Sequence, residues 1–419
     1  MMVRRRLILF LAVSLFLLPS ALLAQVNVLF VGNSYTEVNN LPQMTANVAR
    51  SMGFEMAYSS NTPGGCTFSQ HCTNQSMTLI QQGGWDFVVL QEQSQYPSFP
   101  QSQVEAEVFP YAAQIVEAVY SASPCAEPMF YMTWGRRDGD AFNAQFFPVL
   151  GTYEGMDSML YERYVYMAEA NDASVCPVGR VWRSLREHHS EIELYQSDGS
   201  HPSVAGTYAA ACAFAVMFFH GNPETIAYIP EGLPEDVADA IRQTVYEVVY
   251  TQQDRWLRPL PQVTCELDSV EDFVATFLAH ATHVDSLFWD FGDGTQTATL
   301  DTLVQHSYAD TGDYLVTLIA TRHCMADTAV TNVHISLPDI EGITDAQRST
   351  SNVQLFPNPS TTLPVLLLDG KDVSSGATVT TPDGHTLPFN ALRDDAPAGT
   401  YLIHVHADGK NLLLRYIKL

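Results

Sequence analysis

A serine after a strand and an Asp-x-x-His motif are the residues of this chain best suited to covalent chemistry. Ser34 lies in VLFVGNSYTEVNNLP, where the apolar run 28–31 gives way abruptly to small polar residues. Serine is a weak nucleophile until a base takes its proton, and that base must be held by a third group. The break therefore predicts either a serine presented for attack on a carbonyl carbon or an ordinary strand-to-helix turn.

The histidine and the acid come from YQSDGSHPSVAGTYAAAC. Asp198 and His201 are three residues apart on one loop, so the carboxylate can accept the Nδ1 proton and leave Nε2 as the acceptor for a serine hydroxyl. Pro202 disfavours α conformation at His201 and suits a first helical position, which places the imidazole at the mouth of the following helix. The alternative is that Asp198 and Ser200 merely cap that helix.

A tetrahedral oxyanion also needs hydrogen-bond donors. The backbone N–H of Ser34 is one candidate. In NTPGGCT we favour the N–H of Gly65, with that of Gly64 as the alternative, because a glycine lets the backbone approach a substrate closely. A side-chain amide at the end of WDFVVLQEQS would be a third donor. A plain Gly-Gly turn and polar residues that merely end a strand are the competing interpretations.

The elements that must position these groups follow an alternating pattern from residue 26 to about residue 258. Strand-like runs alternate with segments whose apolar residues recur at helical spacing; the runs are VNVLFVG, FEMAYSS, WDFVVLQ, EPMFYMTW and PVGRVW. This pattern predicts an α/β fold with a mostly parallel sheet covered on both faces. Active sites in such sheets lie at the carboxyl ends of the strands, which is where Ser34 is expected.

In this order the motifs resemble those of the SGNH hydrolase family of GDSL-like esterases, over residues 25–258, and especially a subgroup of secreted Bacteroidota proteins. The resemblance implies a flavodoxin-like three-layer sandwich and activity as an esterase, lipase, thioesterase or glycan deacetylase, without a metal or other cofactor. It implies Ser34 as the nucleophile, His201 with Asp198 as the last-block pair, and Gly65 as the second-block oxyanion donor.

Two blocks depart from the family pattern. In GNSYT, Asn33 replaces the usual Asp. The usual Gly-x-Asn of the third block is QEQ here, which puts Gln93 where the Asn would be, with Gln91 as the alternative. The resemblance thus implies an oxyanion hole of Ser34, Gly65 and Gln93.

Other polar residues are weaker candidates. Trp134, Arg136 and Arg137 follow the fourth predicted strand, so they would either contact substrate or supply surface charge. His188 and His189 are expected to be solvated, because no further metal-ligand pattern accompanies them. His71 has no assigned role.

Residues 1–24 carry three arginines, an apolar run and small residues before Gln25, which is typical of a secretory signal peptide; an uncleaved membrane anchor is the alternative. No later segment is long and apolar enough to cross a bilayer.

With 20 Lys and Arg against 46 Asp and Glu, the formal charge of −26 argues against a nucleic-acid partner and against a polybasic membrane-surface protein.

Two further domains are predicted after the α/β region. Short alternating runs with Asp/Gly turns predict an antiparallel β-sandwich over 263–337, and FWDFGDG with HSYADTGDY resembles an immunoglobulin-like PKD domain. Residues 346–419 resemble the sorting domain of type IX secretion cargo through LFPNPS, AGTYLIHV and LLLRYIKL. That resemblance implies the type IX machinery as a partner and export through the outer membrane to the cell surface or medium.

An oxidising compartment makes disulfides expected among the seven cysteines. Connectivity does not follow from the sequence. Candidate pairs are 125 with 176, 66 with 72, and 265 with 324, which leaves Cys212 as the buried unpaired thiol.

The sequence therefore predicts a secreted serine esterase that removes acetyl or other short acyl groups, with a carbohydrate or small molecule as the acylated substrate. A non-catalytic glycan-binding or adhesive surface protein is the rival from another class. A lipase or thioesterase of the same family is the third possibility.

Overall fold

The computed structural model describes residues 25–336 and, beyond them, residues 353–356, 358, 362–368, 371–372, 374–393, 395–407 and 410–418. The predicted signal peptide lies outside the described residues. The chain divides into two compact units, Met1–Ile335 and Ser336–Leu419. Within the described part, no helix combines the length and the apolar character that a membrane crossing would need.

Five parallel strands form the sheet of the first unit: β1 Val26–Val31, β2 Met56–Asn61, β3 Phe87–Leu90, β4 Glu127–Tyr131 and β5 Ser174–Cys176. Their order is β2-β1-β3-β4-β5, which is the flavodoxin-like order. The run 28–31 is fully buried, as expected for a parallel strand covered on both faces. The predicted α/β fold class is confirmed.

The helices that cover this sheet are α1 Ser34–Glu37, α2 Leu41–Ser51, α3 Phe68–His71, α4 Gln75–Gln81, α5 Gln101–Glu107, α6 Phe109–Ala122, α7 Tyr153–Ala170, α8 Val178–His188, α9 Val204–Phe219, α10 Glu235–Val248 and α11 Gln253–Trp256. By their mutual contacts, α2, α8, α9 and α10 form one layer, and α3, α4, α6 and α7 form the other. Helix α9 is apolar on every side and buried along almost its whole length, and its Phe214 ring meets Phe30 of β1 edge to face. The helix directly after the His201 loop is thus fixed against the strand that leads to Ser34.

The fifth predicted strand, PVGRVW, is wrong. The strand at this place is the preceding SVC, and Val178 begins helix α8. The buried residues Val178, Val181, Trp182 and Leu185 recur at the spacing of one helix face, which is the physical reason for the helix.

An antiparallel β-sandwich follows in the same unit. Its strands are β6 Gln262–Glu271, β7 Val274–Thr282, β8 Ser286–Asp290, β9 Gln296–Ala298, β10 Leu303–Ser307, β11 Gly312–Arg322 and β12 Met325–Ile335. They form sheets of order β10-β7-β6 and β12-β11-β8-β9, and Phe277, Trp289 and Leu318 are buried in the core. In the acidic turn, Asp290 and Asp293 accept hydrogen bonds from the turn's own backbone.

A disulfide joins Cys125, just before β4, to Cys324 in the turn between β11 and β12. The other five cysteines, all in the described residues, are free thiols. The three expected pairs are therefore wrong, because the actual bond links the α/β region to the sandwich. Cys212 is buried and free, as expected.

The same turn contacts the amino-terminal edge of the parallel sheet. Asp172, two residues before β5, binds Arg322 Nε at 2.6 Å and His323 Nε2 at 2.9 Å. The His323 ring stacks on Tyr120 at 3.9 Å between centroids. Because these contacts lie at the amino ends of β4 and β5, the sandwich is attached at the edge opposite the carboxyl ends where Ser34 lies.

The second unit contains β13 Val353–Phe356, β14 Val365–Leu368, β15 Lys371–Asp372, β16 Ala377–Thr380, β17 Thr386–Pro388, β18 Gly399–Ala407 and β19 Lys410–Lys418. Its antiparallel sheets have the orders β13-β14-β15 and β17-β16-β18-β19. Val379, Tyr401 and Tyr416 belong to its core. The sorting role of this unit stays a prediction.

Candidate active site

Ser34 is the first residue of α1, directly after the turn that ends β1. A Cβ at Gly32 would lie 2.5 Å from Thr36 Oγ1 and 2.8 Å from Gln91 Oε1, so only glycine allows this close turn. His71 is fully buried and donates Nε2–H to the Gly32 carbonyl at 3.0 Å, while its Nδ1 accepts from Ser76 Oγ at 2.8 Å. The histidine without a predicted role thus fixes the turn that carries the candidate nucleophile.

Asn33 connects the three loops around Ser34. Its Oδ1 caps α1 by accepting from Tyr35 N at 3.1 Å. Its Nδ2 donates to the carbonyls of Cys66 at 3.3 Å and of Glu92 at 3.4 Å. The amide that replaces the usual Asp therefore places the loops after β2 and β3 beside the Ser34 turn.

The structure brings Ser34, His201 and Asp198 together. Ser34 Oγ lies 2.9 Å from His201 Nε2, and His201 Nδ1 lies 2.5 Å from Asp198 Oδ2. Because the carboxylate accepts the Nδ1 proton, Nε2 remains the acceptor for the Ser34 hydroxyl. This is the hydrogen-bond order that a nucleophilic serine needs.

Asp198 is held by its own loop. Its Oδ1 accepts from the backbone N–H groups of Ser200 at 2.9 Å and His201 at 3.0 Å. Partial burial acts to raise the pKa of this carboxyl, but the bonds from the His201 ring and the two backbone groups outweigh it, so the pKa lies below its usual value. The helix that follows is capped instead by Ser203, whose Oγ accepts from Gly206 N. The interpretation of Asp198 and Ser200 as mere caps is wrong.

A stack of buried aromatic rings lies beneath the His201 loop. Tyr35 stacks on Trp134 with centroids 4.8 Å apart, and Trp134 stacks on Trp182 at 3.7 Å. Trp134 Nε1 donates to the Ser200 carbonyl at 3.1 Å, and Tyr35 OH shares a hydrogen bond of 2.6 Å with Ser200 Oγ. Trp134 is fully buried, so the prediction that it contacts substrate is wrong. It supports the loop that carries His201.

Two candidate oxyanion donors are backbone groups. Within the described residues, the N–H groups of Ser34 and Gly65 have no hydrogen-bond acceptor. Gly65 is exposed and has a φ of 68°, which glycine adopts without strain, and its neighbour Cys66 is bonded to Asn33. Gly64 precedes it in the same exposed turn.

The two amide candidates differ in what their side chains already do. Gln91 is fully buried; its Oε1 accepts from Asn33 N at 3.0 Å and Thr36 Oγ1 at 2.9 Å, and its Nε2 donates to the Glu92 carbonyl. Gln93 is only half-buried, and its Nε2 makes a long bond of 3.3 Å to Gln95 Oε1. Each NH₂ group has a second donor, but Gln91 is fully buried whereas Gln93 is partly exposed, so Gln93 is the better candidate.

Arg136 and Arg137 differ in their surroundings. Arg136 pairs with the buried Asp140 at 3.6 Å and is partly exposed, so it stays a candidate for substrate contact. Arg137 donates to Glu193 and the Gln196 carbonyl, and its backbone N–H binds the Gly199 carbonyl, so it supports the His201 loop.

His188 is the last residue of α8 and His189 follows it; His188 bonds to Ser184 and His189 to Glu191. Among the described residues, no group of three or more His, Cys, Asp or Glu is placed to hold a metal ion.

Residues 261–336 match the family model described as a PKD domain. No curated protein matches significantly. A solved structure of a DUF4886 family protein from Bacteroides uniformis is 17% identical, covers 56% of this chain and 98% of its own, and has a TM-score of 0.48.

Two further solved structures are similar to the α/β region. A provisionally assigned SGNH hydrolase from Slackia heliotrinireducens is 28% identical, covering 46% of this chain and 98% of its own, with a TM-score of 0.38. A carbohydrate esterase family 3 protein from Talaromyces cellulolyticus is 13% identical, covering 46% and 97%, with a TM-score of 0.34.

Sequence reasoning missed Glu92 and Tyr35, although each adjoins a residue that was singled out. Glu92 lies between the two candidate glutamines, and Tyr35 follows Ser34 directly. The sheet order shows a flavodoxin-like α/β fold, and the family model identifies the β-sandwich after it as a PKD domain.

Proposed function

We propose that this chain is a serine esterase that hydrolyses acetyl or other short acyl esters, with a carbohydrate as the alcohol component. The observation that carries the proposal is the hydrogen-bonded series Ser34–His201–Asp198, with 2.9 Å between the serine oxygen and Nε2. A glycan-binding protein without catalysis would have no need for this series.

The mechanism follows from the hydrogen-bond directions. His201 Nε2 takes the Ser34 proton as the oxygen attacks the ester carbonyl carbon, and Asp198 stabilises the charged imidazole. The N–H groups of Ser34 and Gly65, with the Gln93 amide, bind the oxyanion. His201 then gives the proton to the leaving alcohol, which departs and leaves an acyl-Ser34 ester. Water, deprotonated by the same histidine, attacks that ester and releases the acid and the free serine.

The loop after β4 offers contacts for the alcohol component. Phe142 and Phe146 are 71% and 79% exposed, and their rings lie 6.4 Å apart. At the base of this loop, Asp140 accepts hydrogen bonds from Gln95 and Asn143. Since Gln95 also bonds to Gln93, the loop adjoins the candidate oxyanion donors. Two apolar rings beside amide groups suit a sugar, which has C–H faces and polar edges.

Apart from these rings, the carbohydrate assignment rests on the resemblance to esterases and glycan deacetylases. The proposal of export to the cell surface or medium rests on the signal-peptide pattern of residues 1–24 and on the sorting-domain motifs of residues 346–419. A screen of acetylated glycans against long-chain esters would test the acyl and alcohol classes. The double variant Phe142→Ala/Phe146→Ala should reduce kcat/KM for the glycan and leave p-nitrophenyl acetate hydrolysis unchanged. A preference of the wild type for long-chain esters would refute the short-acyl assignment.

Labelling by a fluorophosphonate probe tests the nucleophile. The wild type should be labelled and should hydrolyse p-nitrophenyl acetate, and Ser34→Ala should do neither. Ser60→Ala, the same change at an exposed serine of β2, is the matched control and should behave as wild type. A folded wild type that neither labels nor turns over the ester would instead favour a binding protein.

A further inference from the structure

Glu92 is a buried carboxyl group that the proposed mechanism does not use. It is fully buried at the carboxyl end of β3. Both of its carboxyl oxygens lie 3.1 Å from Phe68 N, and Oε1 lies 2.5 Å from Gln93 N. Phe68 begins α3, three residues after Gly65. One side chain therefore binds the backbone of both loops that carry candidate oxyanion donors.

The backbone of Glu92 extends these contacts to the third loop. Its carbonyl accepts from Asn33 Nδ2 at 3.4 Å, and Asn33 immediately precedes Ser34. Residue 92 thus contacts the turn after β1 through its carbonyl, the loop after β2 through its carboxyl group, and its own loop after β3 through Gln93 N. All three candidate oxyanion donors are within three residues of a group that Glu92 binds.

We propose that Glu92 is a positioning residue that holds the Gly65 and Gln93 loops in one arrangement around Ser34. The inference rests on the proposed esterase function. It explains an otherwise unfavourable choice, because a buried carboxyl costs folding free energy that an apolar side chain of similar size does not. A carboxyl group at this position is useful because it accepts backbone N–H groups from two loops at once.

The raised pKa of Glu92 allows its positioning role to be tested by changing the pH. Burial raises the pKa of Glu92 to about 8, against the opposing effect of the Gln93 and Phe68 N–H groups. The titratable groups whose charges interact with it are Cys66, Cys72 and Tyr164. Burial raises the pKa of all three, that of Cys72 to about 11. Of these four groups, Glu92 is the one that titrates between pH 6 and 9.

Glu92→Leu removes both acceptors, whereas Glu92→Gln keeps one acceptor oxygen. We expect Glu92→Leu to lower kcat for p-nitrophenyl acetate by about 100-fold, the scale of one misplaced oxyanion donor, with KM little changed. Glu92→Gln should retain most of the activity at pH 7. Glu127→Leu is the matched control, since Glu127 is a half-buried carboxyl at the amino end of neighbouring β4 that accepts from Ser174 Oγ. It should leave kcat unchanged.

A second measurement serves if Glu92→Leu does not fold. Above about pH 8 the wild-type carboxylate can accept with both oxygens, so the ratio of wild-type to Glu92→Gln kcat should rise there. A folded Glu92→Leu with wild-type kcat would overturn the proposal; if that variant does not fold, a flat ratio from pH 6 to 9 would. A wild type without esterase activity would instead refute the proposed function itself.

Discussion

The change Asp198→Asn separates the charge of the candidate triad from its geometry. An Asn oxygen at the Oδ1 position still accepts the N–H groups of Ser200 and His201, which lie 2.9 and 3.0 Å from it in the wild type. The amide NH₂ then faces His201 Nδ1 and donates where the carboxylate accepted. The imidazole must therefore carry its proton on Nε2, and the Ser34 oxygen loses its base.

The magnitude follows from that tautomer. A triad with its imidazole in the wrong tautomer loses about 10³–10⁴-fold in kcat, which corresponds to about 4–5.5 kcal/mol of transition-state stabilisation. The loop keeps two of its three carboxyl hydrogen bonds and exchanges the third, to His201, for an uncharged amide donor, so the loss of folding stability should be about 1–2 kcal/mol.

The assay is steady-state hydrolysis of p-nitrophenyl acetate together with the rate of fluorophosphonate labelling, with circular dichroism to verify folding. Ser203→Ala is the control, because it removes the cap of α9 on the same loop without changing the triad. If folded Asp198→Asn keeps kcat within about tenfold of wild type, the carboxylate does not set the tautomer and the triad reasoning is refuted.

Three further changes test other parts of the structure. Trp134→Phe keeps the ring stack but removes the donor to the Ser200 carbonyl, so kcat should fall about fivefold with KM unchanged, as expected for about 1 kcal/mol of lost loop support; an unchanged kcat would contradict that role. Because burial lowers the pKa of His71 below 6.5, the unfolded state binds more protons below that pH and the wild type loses stability as the pH falls. In melting curves from pH 7.5 to 5, His71→Gln should lose less stability than the wild type as the pH falls. An equal loss in the two proteins would refute this role of His71. The double change Cys125→Ala/Cys324→Ala opens a bond that spans 199 residues and should cost about 2–5 kcal/mol of stability. It should not alter kcat for the small ester, because the bond lies at the opposite edge of the sheet, so a large kcat loss in the folded variant would contradict that placement.

Local patterns predicted the elements whose apolar periodicity is unambiguous, and failed where tertiary contacts decide. The run 28–31 and the apolar helix α9 could be predicted because burial on both faces or on all sides leaves a continuous apolar sequence. Val178-Gly-Arg-Val-Trp was mistaken for a strand because a short apolar run fits both periods. The partner of Cys125 is 199 residues away in another domain, so no local spacing could indicate it.

In the candidate site, too, local sequence patterns predicted some features, and tertiary contacts decided the others. The order of the motifs placed Ser34, Asp198 and His201 near each other, since the carboxyl ends of parallel strands share one edge. Their types did not reveal which neighbours would be buried supports: Trp134 was expected to contact substrate and instead lies beneath the loop. Glu92 could not be identified, because a carboxyl between two amides becomes notable only when three loops converge on it.

A side chain on an exposed loop keeps a fixed hydrogen-bonding distance to another side chain only if buried groups hold the loop in place. The Asp198 and His201 side chains are 46% and 33% exposed, yet His201 lies 2.9 Å from a serine 167 residues earlier in the chain. The rigid part is beneath them: the Ser200 carbonyl binds buried Trp134, the Ser200 hydroxyl binds buried Tyr35, and both rings belong to one stack with Trp182. Hydrolysis requires water to reach the acyl-Ser34 ester beside His201, so the exposure of the imidazole serves the second half of the proposed reaction. The buried rings fix the loop on one side, and the solvent on its other side provides the water for the proposed hydrolysis of the acyl-Ser34 ester.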